Sequence, residues 1–170
     1  RWNILPNLEL AGGARYSHDK KAMEYVNVID GKTATPLRAQ GVPLDATYTG
    51  HNVSPEVTLT WHPQPDHTLY VAYKTGYKSG GISTPATISR TYLNTPANPN
   101  ASQVLQFAPE RSKGFEAGIK AELLDRTLRI DANVYRYTFS NLQLTSFDAA
   151  LVAYFIKNAG KARTSGFESS

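Results

Sequence analysis

The sequence predicts an all-β protein, an antiparallel meander of about six strands, on three observations. Apolar and polar residues alternate with a period of two over much of the chain, which is typical of strands with one apolar and one polar face. Glycine and proline interrupt the chain often, with 12 Gly and 10 Pro in 170 residues. No segment combines terminal caps with the i, i+3, i+4 apolar stripe of a helix.

The alternation delimits the strands in chain order. In the first strand, Leu8, Leu10 and Tyr16 alternate with Glu9 and Arg15. The same pattern defines the strands 53–62, 69–75, 115–123 and 128–135. A last strand is predicted at about 158–168. A seventh strand is possible within residues 144–156.

The connections between these strands alternate in length. Short turns are predicted at 63–67 and 125–126, whereas long loops are predicted at about 17–52 and 78–109, with a shorter loop at about 145–153. Outer-membrane barrels have short periplasmic turns and long extracellular loops, an asymmetry that soluble sandwiches rarely keep. We therefore expect the meander to be part of a large transmembrane β-barrel.

One hairpin can be tested by its register. With a two-residue turn at 125–126, Glu122 lies opposite Arg129 and Lys120 lies opposite Asp131. Leu123, Ala121 and Ile119 then face the apolar residues Leu128, Ile130 and Ala132. A slip of one residue would place charges opposite apolar positions, so the pairing pattern favours this register.

Aromatic residues mark the ends of the predicted strands. Trp2 and Trp61 lie at the short-turn end, and the long-loop end carries Tyr16, Tyr73, Tyr77, Tyr137 and Phe139. Two aromatic belts around an aliphatic band are typical of a membrane interface. The alternation changes phase after Val134, so either a bulge lies there or the rings that follow face inward.

Composition excludes several function classes. The chain has no cysteine, which excludes disulfides, thiolate metal sites and cysteine nucleophiles. No apolar run approaches the roughly 18 residues of a spanning helix, which excludes a helical membrane protein. The net charge is +4, but the cations are scattered along the sequence, with at most Lys20 and Lys21 in a row. We therefore expect no nucleic-acid partner. The chain opens at Arg1 without a signal-peptide pattern, as expected of a mature protein or a piece of one.

Three short motifs resemble those of serine β-lactamases and penicillin-binding proteins. Ser17 and Lys20 form S-x-x-K, Tyr25 and Asn27 form Y-x-N, and residues 74–76 form K-T-G. That chemistry requires the serine to open a buried helix, whereas Ser17 ends a predicted strand. Only four residues separate Lys20 from Tyr25, where such enzymes have much of a helical domain. We therefore expect no enzyme and no catalytic residue.

A metal site is conceivable at one turn, where His62 and His67 flank Asp66. Imidazole and carboxylate are common metal ligands. The favoured interpretation is an ordinary hairpin turn, so we expect no metal and no cofactor.

Several segments, in a shared order over nearly the whole chain, resemble TonB-dependent outer-membrane receptors. Residues 110–120 and 124–128 are similar to the family's "PE-x-S-x-x-x-E-x-G-x-K … L-D-x-x-L" strand pair. The other similar segments are 11–16 ("G-x-R-Y"), 73–81 ("Y-x-x-G-Y-K-x-G-G"), 141–143 ("N-x-Q") and 158–168 ("N-A-G-x-A-x-x-x-G-x-E").

The resemblance implies that residues 1–170 are part of a barrel of about 22 strands. The family's plug domain, TonB box and closing C-terminal strand have no counterpart in the sequence. The implied function is TonB-energised uptake of a scarce solute, most often a ferric siderophore, across the outer membrane of a Gram-negative bacterium. The implied partners are outer-membrane lipid and, through the missing plug, the TonB system. Siderophore, haem, cobalamin, nickel chelate and oligosaccharide all stay open as solutes.

The resemblance also implies where the site residues lie. The lumen-facing set would be Glu9, Arg15, Glu56, Lys74, Glu116, Lys120, Glu122, Arg129 and Asp131. Candidates for ligand contact in the loops are Tyr25, Tyr48, His51 and Tyr92.

The alternative is a soluble secreted β-sandwich that binds glycan or protein through its loops. A sandwich would bury Leu59, Val71, Ile119 and Ile130 between two sheets, whereas a barrel wall would expose them on its outer face.

Overall fold

A computed structural model of the chain describes residues 1–26, 43–83, 105–149 and 153–170, together with residues 96, 97, 99 and 103. Within this part of the chain, no helix has the length and apolar character needed to cross a bilayer. The strands are β1 (Trp2–Leu5), β2 (Leu8–Val26), β3 (Pro43–Gln64), β4 (His67–Lys78), β5 (Gly81–Ile82), β6 (Gln106–Phe107), β7 (Glu110–Leu123), β8 (Leu128–Ser140), β9 (Gln143–Asp148), β10 (Ala153–Asn158) and β11 (Lys161–Ser169).

Seven strands form the main sheet in the order β1-β2-β3-β4-β7-β8-β11, and each pair is antiparallel. This architecture confirms the predicted antiparallel meander. The seventh strand is β1, at the N-terminal end of the sheet. Residues 144–156 do not supply it, because β9 and β10 pair with each other in a separate two-stranded sheet, as β5 and β6 also do.

The main sheet has two chemically different faces. We call the face that carries Leu59, Val71, Ile119 and Ile130 the apolar face, and the opposite one the polar face. These four side chains are 41%, 54%, 38% and 36% exposed. A β-sandwich would need a second sheet over them, and the described residues provide none. The exposure of this face matches a barrel wall, whose outer side contacts lipid.

The strands β2 and β3 extend well beyond the predicted strands. They pair continuously from Leu8 with Trp61 to Val26 with Pro43. The prediction of a loop over residues 17–52 is therefore wrong for 17–26 and 43–52. Apolar residues are sparse on both faces of this ribbon, so the period-two hydropathy pattern fades although the backbone pairing continues. The predicted 78–109 loop likewise contains β5 and β6, and the predicted 145–153 loop contains much of the β9–β10 hairpin.

The β7–β8 hairpin has the predicted register. Glu122 pairs with Arg129 and Lys120 pairs with Asp131, with no shift along the two strands. The turn is strained, because Leu124, Asp125 and Arg126 have φ angles of 52°, 52° and 69°. L-residues other than Asn and Asp rarely adopt this left-handed region.

The phase change after Val134 results from inward-facing rings. Neither the β7–β8 pairing nor the β8–β11 pairing contains a bulge. Tyr135, Tyr137 and Phe139 therefore occupy the polar face, and the aromatic belt expected at the long-loop end is wrong for Tyr137 and Phe139. Trp2, Trp61, Tyr16 and Tyr73 do occupy the apolar face, as their partners in the sheet require.

Three buried side chains lie toward the long-connection end of the sheet. Tyr48 of β3, Leu105 and Phe155 of β10 are 7%, 2% and 9% exposed. The Ser83 amide donates to the Leu105 carbonyl at 2.7 Å, and Ser83 Oγ accepts from the Ile156 amide at 2.9 Å. The two small sheets are therefore held against each other at this end of the sheet.

Candidate functional site on the polar face of the sheet

The polar face carries the charged residues that the sequence analysis assigned to a lumen. Glu56 pairs with Lys74 between β3 and β4, and Glu116 pairs with Tyr135 between β7 and β8. The register brings one continuous set to this face: Glu9, Arg15, Glu56, Lys74, Glu116, Lys120, Glu122, Arg129 and Asp131. Their exposure to a barrel lumen stays a prediction.

Glu116 is the centre of the polar network. Its Oε1 accepts from the Tyr70 hydroxyl at 2.7 Å, and its Oε2 accepts from Lys74 Nζ at 3.0 Å and from the Tyr137 hydroxyl at 3.3 Å. The three donors come from β4 and β8, on either side of β7. One carboxylate therefore links three adjacent strands through charge-assisted hydrogen bonds.

Glycines make room for tyrosine rings on the polar face. Tyr70 pairs with Gly118, and a Cβ built on Gly118 would lie 2.5 Å from Tyr70 Cε1. Tyr135 pairs with Gly166, where a Cβ would lie 2.5 Å from the Tyr135 hydroxyl. The rings thus lie over the backbone of the neighbouring strand, a packing that only glycine permits.

A polar groove of about 630 Å³ lies beyond the end of the β3–β4 pairing. That pairing stops at Glu56 and Lys74. Charged and polar side chains line the groove, among them Arg15, Asp19, Glu56, Tyr77 and Ser79. The Tyr77 hydroxyl donates to Asp19 Oδ2 at 3.1 Å, so this ring lines the groove, although its pairing with Arg111 places it on the same side of β4 as Tyr73.

At the long-connection end, a hydrogen bond from Lys21 connects the paired strands β2 and β3 to the segment between β4 and β5. Lys21 Nζ donates to the Gly80 carbonyl at 2.6 Å and lies 5.8 Å from the centre of the Tyr48 ring. Tyr48 packs against Gly50 and Gly80, where an added Cβ would lie 2.5 Å and 2.6 Å from its hydroxyl. Tyr48 therefore contributes to packing, and its ring is mostly covered.

The candidate ligand-contact residues do not form one cluster. Tyr48 is buried on the polar face, whereas His51 pairs with His18 on the apolar face. Tyr25 is half-buried near the end of β2 and pairs with Leu44. Tyr92 lies outside the described residues. Contact of these residues with a solute stays a prediction.

The histidines near the first short turn have ordinary surroundings. His62 Nδ1 lies 3.1 Å from the Thr68 hydroxyl, and Asp66 forms an ion pair with Arg126 at 3.2 Å. His67 Nδ1 is buried and has no hydrogen-bond partner. Over the described ranges, no group of three His, Cys, Asp or Glu side chains is placed to hold a metal ion.

The β-lactamase-like motifs are incompatible with their chemistry. Ser17, Lys20 and Tyr25 all lie along the single strand β2. Since successive side chains of a strand alternate, Ser17 and Lys20 point to opposite faces and Lys20 cannot activate Ser17. The polar face instead offers mixed charge and many hydrogen-bonding groups, which suits binding or passage of a polar solute.

The sequence analysis did not identify two residues, Gln143 and Asn158, whose side chains hydrogen-bond to the segments after β4 and before β7. Gln143 Nε2 donates to the Ser79 carbonyl at 2.9 Å, and its amide donates to Glu110 Oε2 at 3.0 Å. Asn158 Nδ2 donates to the Ala108 carbonyl at 2.8 Å, and its Oδ1 accepts from the Ala108 amide at 2.6 Å. Their only signal in the sequence was their presence in the N-x-Q and N-A-G segments.

Comparison with known protein families agrees with this geometry. A family model described as "TonB dependent receptor-like, beta-barrel" matches residues 1–170. The chain belongs to the TonB-dependent receptor family. TonB-dependent receptors are outer-membrane proteins of Gram-negative bacteria, and they are receptors and transporters, not enzymes.

A curated relative covers almost the whole chain. The pesticin receptor of Yersinia enterocolitica is 29% identical over 167 residues, which are 98% of this chain and 21% of that receptor. The chain therefore spans about a fifth of the length of this TonB-dependent receptor.

Solved structures of TonB-dependent receptors share the fold. The ferric yersiniabactin uptake receptor FyuA from Yersinia pestis matches with a TM-score of 0.67 and 20% identity, over 99% of this chain and 22% of that one. The copper transporter OprC matches with a TM-score of 0.61 and 16% identity, over 99% of this chain and 24% of that one.

Proposed function

We propose that this chain is a section of the barrel wall of an outer-membrane receptor that takes up a scarce solute by TonB-dependent transport. On this proposal, residues 1–170 are one part of a larger barrel that also holds a plug domain. The plug connects the barrel to the TonB system, and the apolar face contacts outer-membrane lipid.

The observation that carries the proposal is the two-sided sheet. Val71 and Phe115 are 54% and 61% exposed on the apolar face, whereas Lys74 and Glu116 form a 3.0 Å ion pair on the opposite face. A large exposed apolar surface is unfavourable in water and favourable in a bilayer. The polar face then lines a lumen, where its charges contact the plug or the solute.

For the solute we propose a ferric siderophore. The matched FyuA structure is that of a ferric yersiniabactin uptake receptor, and the pesticin receptor is a second relative with high coverage. The polar groove lined by Arg15, Asp19 and Tyr77 supplies both charges and a hydroxyl at the long-connection end. A metal chelate that carries both hydrogen-bond donors and acceptors is a suitable ligand for such a surface of mixed charge.

Site-directed labelling tests the position in the wall. Ile119 and Lys120 are neighbours on opposite faces of β7, and the chain contains no cysteine. We expect a spin label at I119C, in a cysteine-free receptor, to be accessible to oxygen dissolved in lipid. A label at K120C should instead be accessible to a water-soluble nickel chelate. Equal accessibility at both positions would contradict the wall assignment.

An uptake assay tests the solute class. A strain that lacks the gene should lose uptake of one or more ferric complexes from a panel of catecholate, hydroxamate and phenolate siderophores, and the restored gene should recover it. Growth under iron limitation provides the second readout. Unchanged uptake across the panel would contradict the siderophore assignment and leave the wall assignment to the labelling result.

A further inference from the structure

The apolar face of β7, β8 and β11 ends abruptly in cations. On this face the apolar residues end at Phe115, Val134 and Phe167, which are 61%, 52% and 65% exposed. Continuing along the same face toward the long-connection end, the charged residues are Arg111, Lys113, Arg136, Lys161 and Arg163. Within residues 110–123, 128–140 and 161–169, every Asp and Glu lies on the opposite face of the sheet.

The register brings three of these cations together around the Thr138 hydroxyl. Lys113 of β7 and Arg163 of β11 are the cross-strand partners of Thr138 on its two sides. Adjacent strands are about 4.8 Å apart, so the backbones of these two residues are separated by about 10 Å. Arg136 lies one row closer to the apolar residues, diagonal to both. We call Lys113, Arg136 and Arg163 the basic triangle.

A second row of cations extends the basic triangle. Arg111 and Lys161 are the cross-strand partners of Ser140, one row further along the strands. Arg111 Nε donates to Asn52 Oδ1 at 3.1 Å, so its guanidinium retains further donors. Among the residues that the structure describes, no carboxylate lies within ion-pair distance of Lys113, Arg136 or Arg163.

An unneutralised cluster of this kind costs free energy through like-charge repulsion, which an anionic ligand would remove. The neighbouring surface indicates the type of ligand. An apolar depression of about 400 Å³ adjoins the basic triangle, with Leu69, Ile119, Val134 and Phe167 in its lining. A molecule that fits both surfaces has phosphate groups at one end and hydrocarbon chains at the other.

We propose that the basic triangle binds the phosphate groups of a glycolipid in the outer leaflet of the outer membrane, with its acyl chains on the adjoining apolar face. Arginine and lysine both form charge-assisted hydrogen bonds with phosphate, and Thr138 supplies a hydroxyl donor between the cations. The long-connection end is the extracellular side in barrels of this type, so the triangle lies level with the outer-leaflet headgroups. This inference rests on the proposed wall position but not on the identity of the solute.

The test compares lipid binding by variants of the receptor barrel that contains this segment. The probe is bisphosphorylated lipid A in detergent micelles, and its dephosphorylated form is the matched ligand control. K113Q/R136Q/R163Q should bind the phosphorylated lipid about 100-fold more weakly, since each cation near an anionic lipid surface contributes about one kcal/mol. The charge-retaining variant K113R/R136K/R163K should bind it within a few-fold of the wild type.

Several results would overturn the proposal. These are equal affinity of wild type and the triple glutamine variant, equal affinity for the two lipid forms, or displacement of the lipid by millimolar inorganic phosphate. The heat-modifiable electrophoretic mobility of a folded barrel shows whether each variant has folded. Failure of the siderophore uptake assay would refute the proposed solute and leave this binding result unaffected. Spin-label accessibilities that contradict the wall position would overturn this inference as well, whereas accessibilities that agree with the wall position, combined with equal affinity for the two lipid forms, would overturn this inference alone.

Discussion

Glu116 shows how much one side chain contributes to a single-layer sheet. It binds Tyr70, Lys74 and Tyr137 from two neighbouring strands, and its own side chain is only 20% exposed. A wall without a hydrophobic interior of its own must join its strands by backbone pairing and by such cross-strand contacts. The polar network therefore stabilises the wall as well as shaping the lumen side.

A double-mutant cycle on Glu116 and Lys74 tests this contribution. We expect E116Q and K74M to couple by about 0.5–1 kcal/mol, since the pair is partly exposed and solvent screens it. The measurement is the free energy of unfolding of the receptor in urea, in lipid vesicles. The control pair is Lys78 and Glu110, which are 4.0 Å apart with Lys78 63% exposed, and it should show coupling near zero. Equal coupling in both pairs would count against a special role for Glu116.

The contact between Gly118 and Tyr70 leads to a second prediction. G118A should destabilise the barrel by about 1–3 kcal/mol, because the new methyl group would overlap the Tyr70 ring and displace it from Glu116. The control is G160A, since nothing lies within 4 Å of a Cβ built on Gly160. Unfolding midpoints in urea measure both effects. A neutral G118A would mean that the ring moves aside without cost.

At the scale of elements, the hairpin from β7 to β8 is where sequence and structure agree most closely. Its register follows from local patterns alone, because charge pairs and aliphatic pairs all match in one alignment. The turn was predicted less completely. Leu124 has a φ of 52° in addition to the two residues of the predicted turn, and the Thr127 amide donates to its carbonyl at 3.0 Å.

A charge reversal in this hairpin tests the register. Lys120 Nζ lies 2.7 Å from Asp131 Oδ2. We expect K120D to destabilise the barrel by about 0.5–1 kcal/mol, because two like charges would face each other across the strands. The double exchange K120D/D131K should recover most of the loss. The difference should shrink in high salt, and a swap that recovers nothing would contradict the cross-strand pairing.

Elements outside the apolar band were harder to predict. Residues 17–26 and 43–52 form the long ribbon of β2 and β3, yet they lack a clear apolar stripe. Hydropathy periodicity reports burial or lipid contact on one face, so it does not detect strands with both faces in polar surroundings. The small hairpin of β9 and β10 was also hard to predict. Its strands pair only with each other, and its position depends on contacts with β6, which is distant in the sequence.

At the scale of the whole molecule, stability depends on what covers the apolar face. Side chains such as Val57, Val71 and Val134 are 41%, 54% and 52% exposed, far from the burial of a soluble core. The favourable transfer of this surface into hydrocarbon is therefore the main term that lipid would add to the stability of the wall.

A pair of arginine substitutions measures that term. V71R should destabilise the barrel in vesicles by about 2–4 kcal/mol, the cost of a cation on the lipid face near the bilayer midplane. T60R is the matched control, because Thr60 lies on the polar face with Glu9 as its cross-strand partner. The control should cost little in the same urea titration. Similar losses from both substitutions would contradict the assignment of the two faces.

The sequence by itself determined which side chains share a face, since the period of two is a local property of any extended strand. It also predicted the short turns, the register of one hairpin and, through its motifs, the family. The gathering of distant residues was decided only by the tertiary structure. Glu116 and Tyr70 are 46 residues apart, and Lys113, Arg136 and Arg163 come from three strands and look scattered in the sequence. Such neighbours depend on which strands pair and in which register, and backbone hydrogen bonding over the whole sheet sets both.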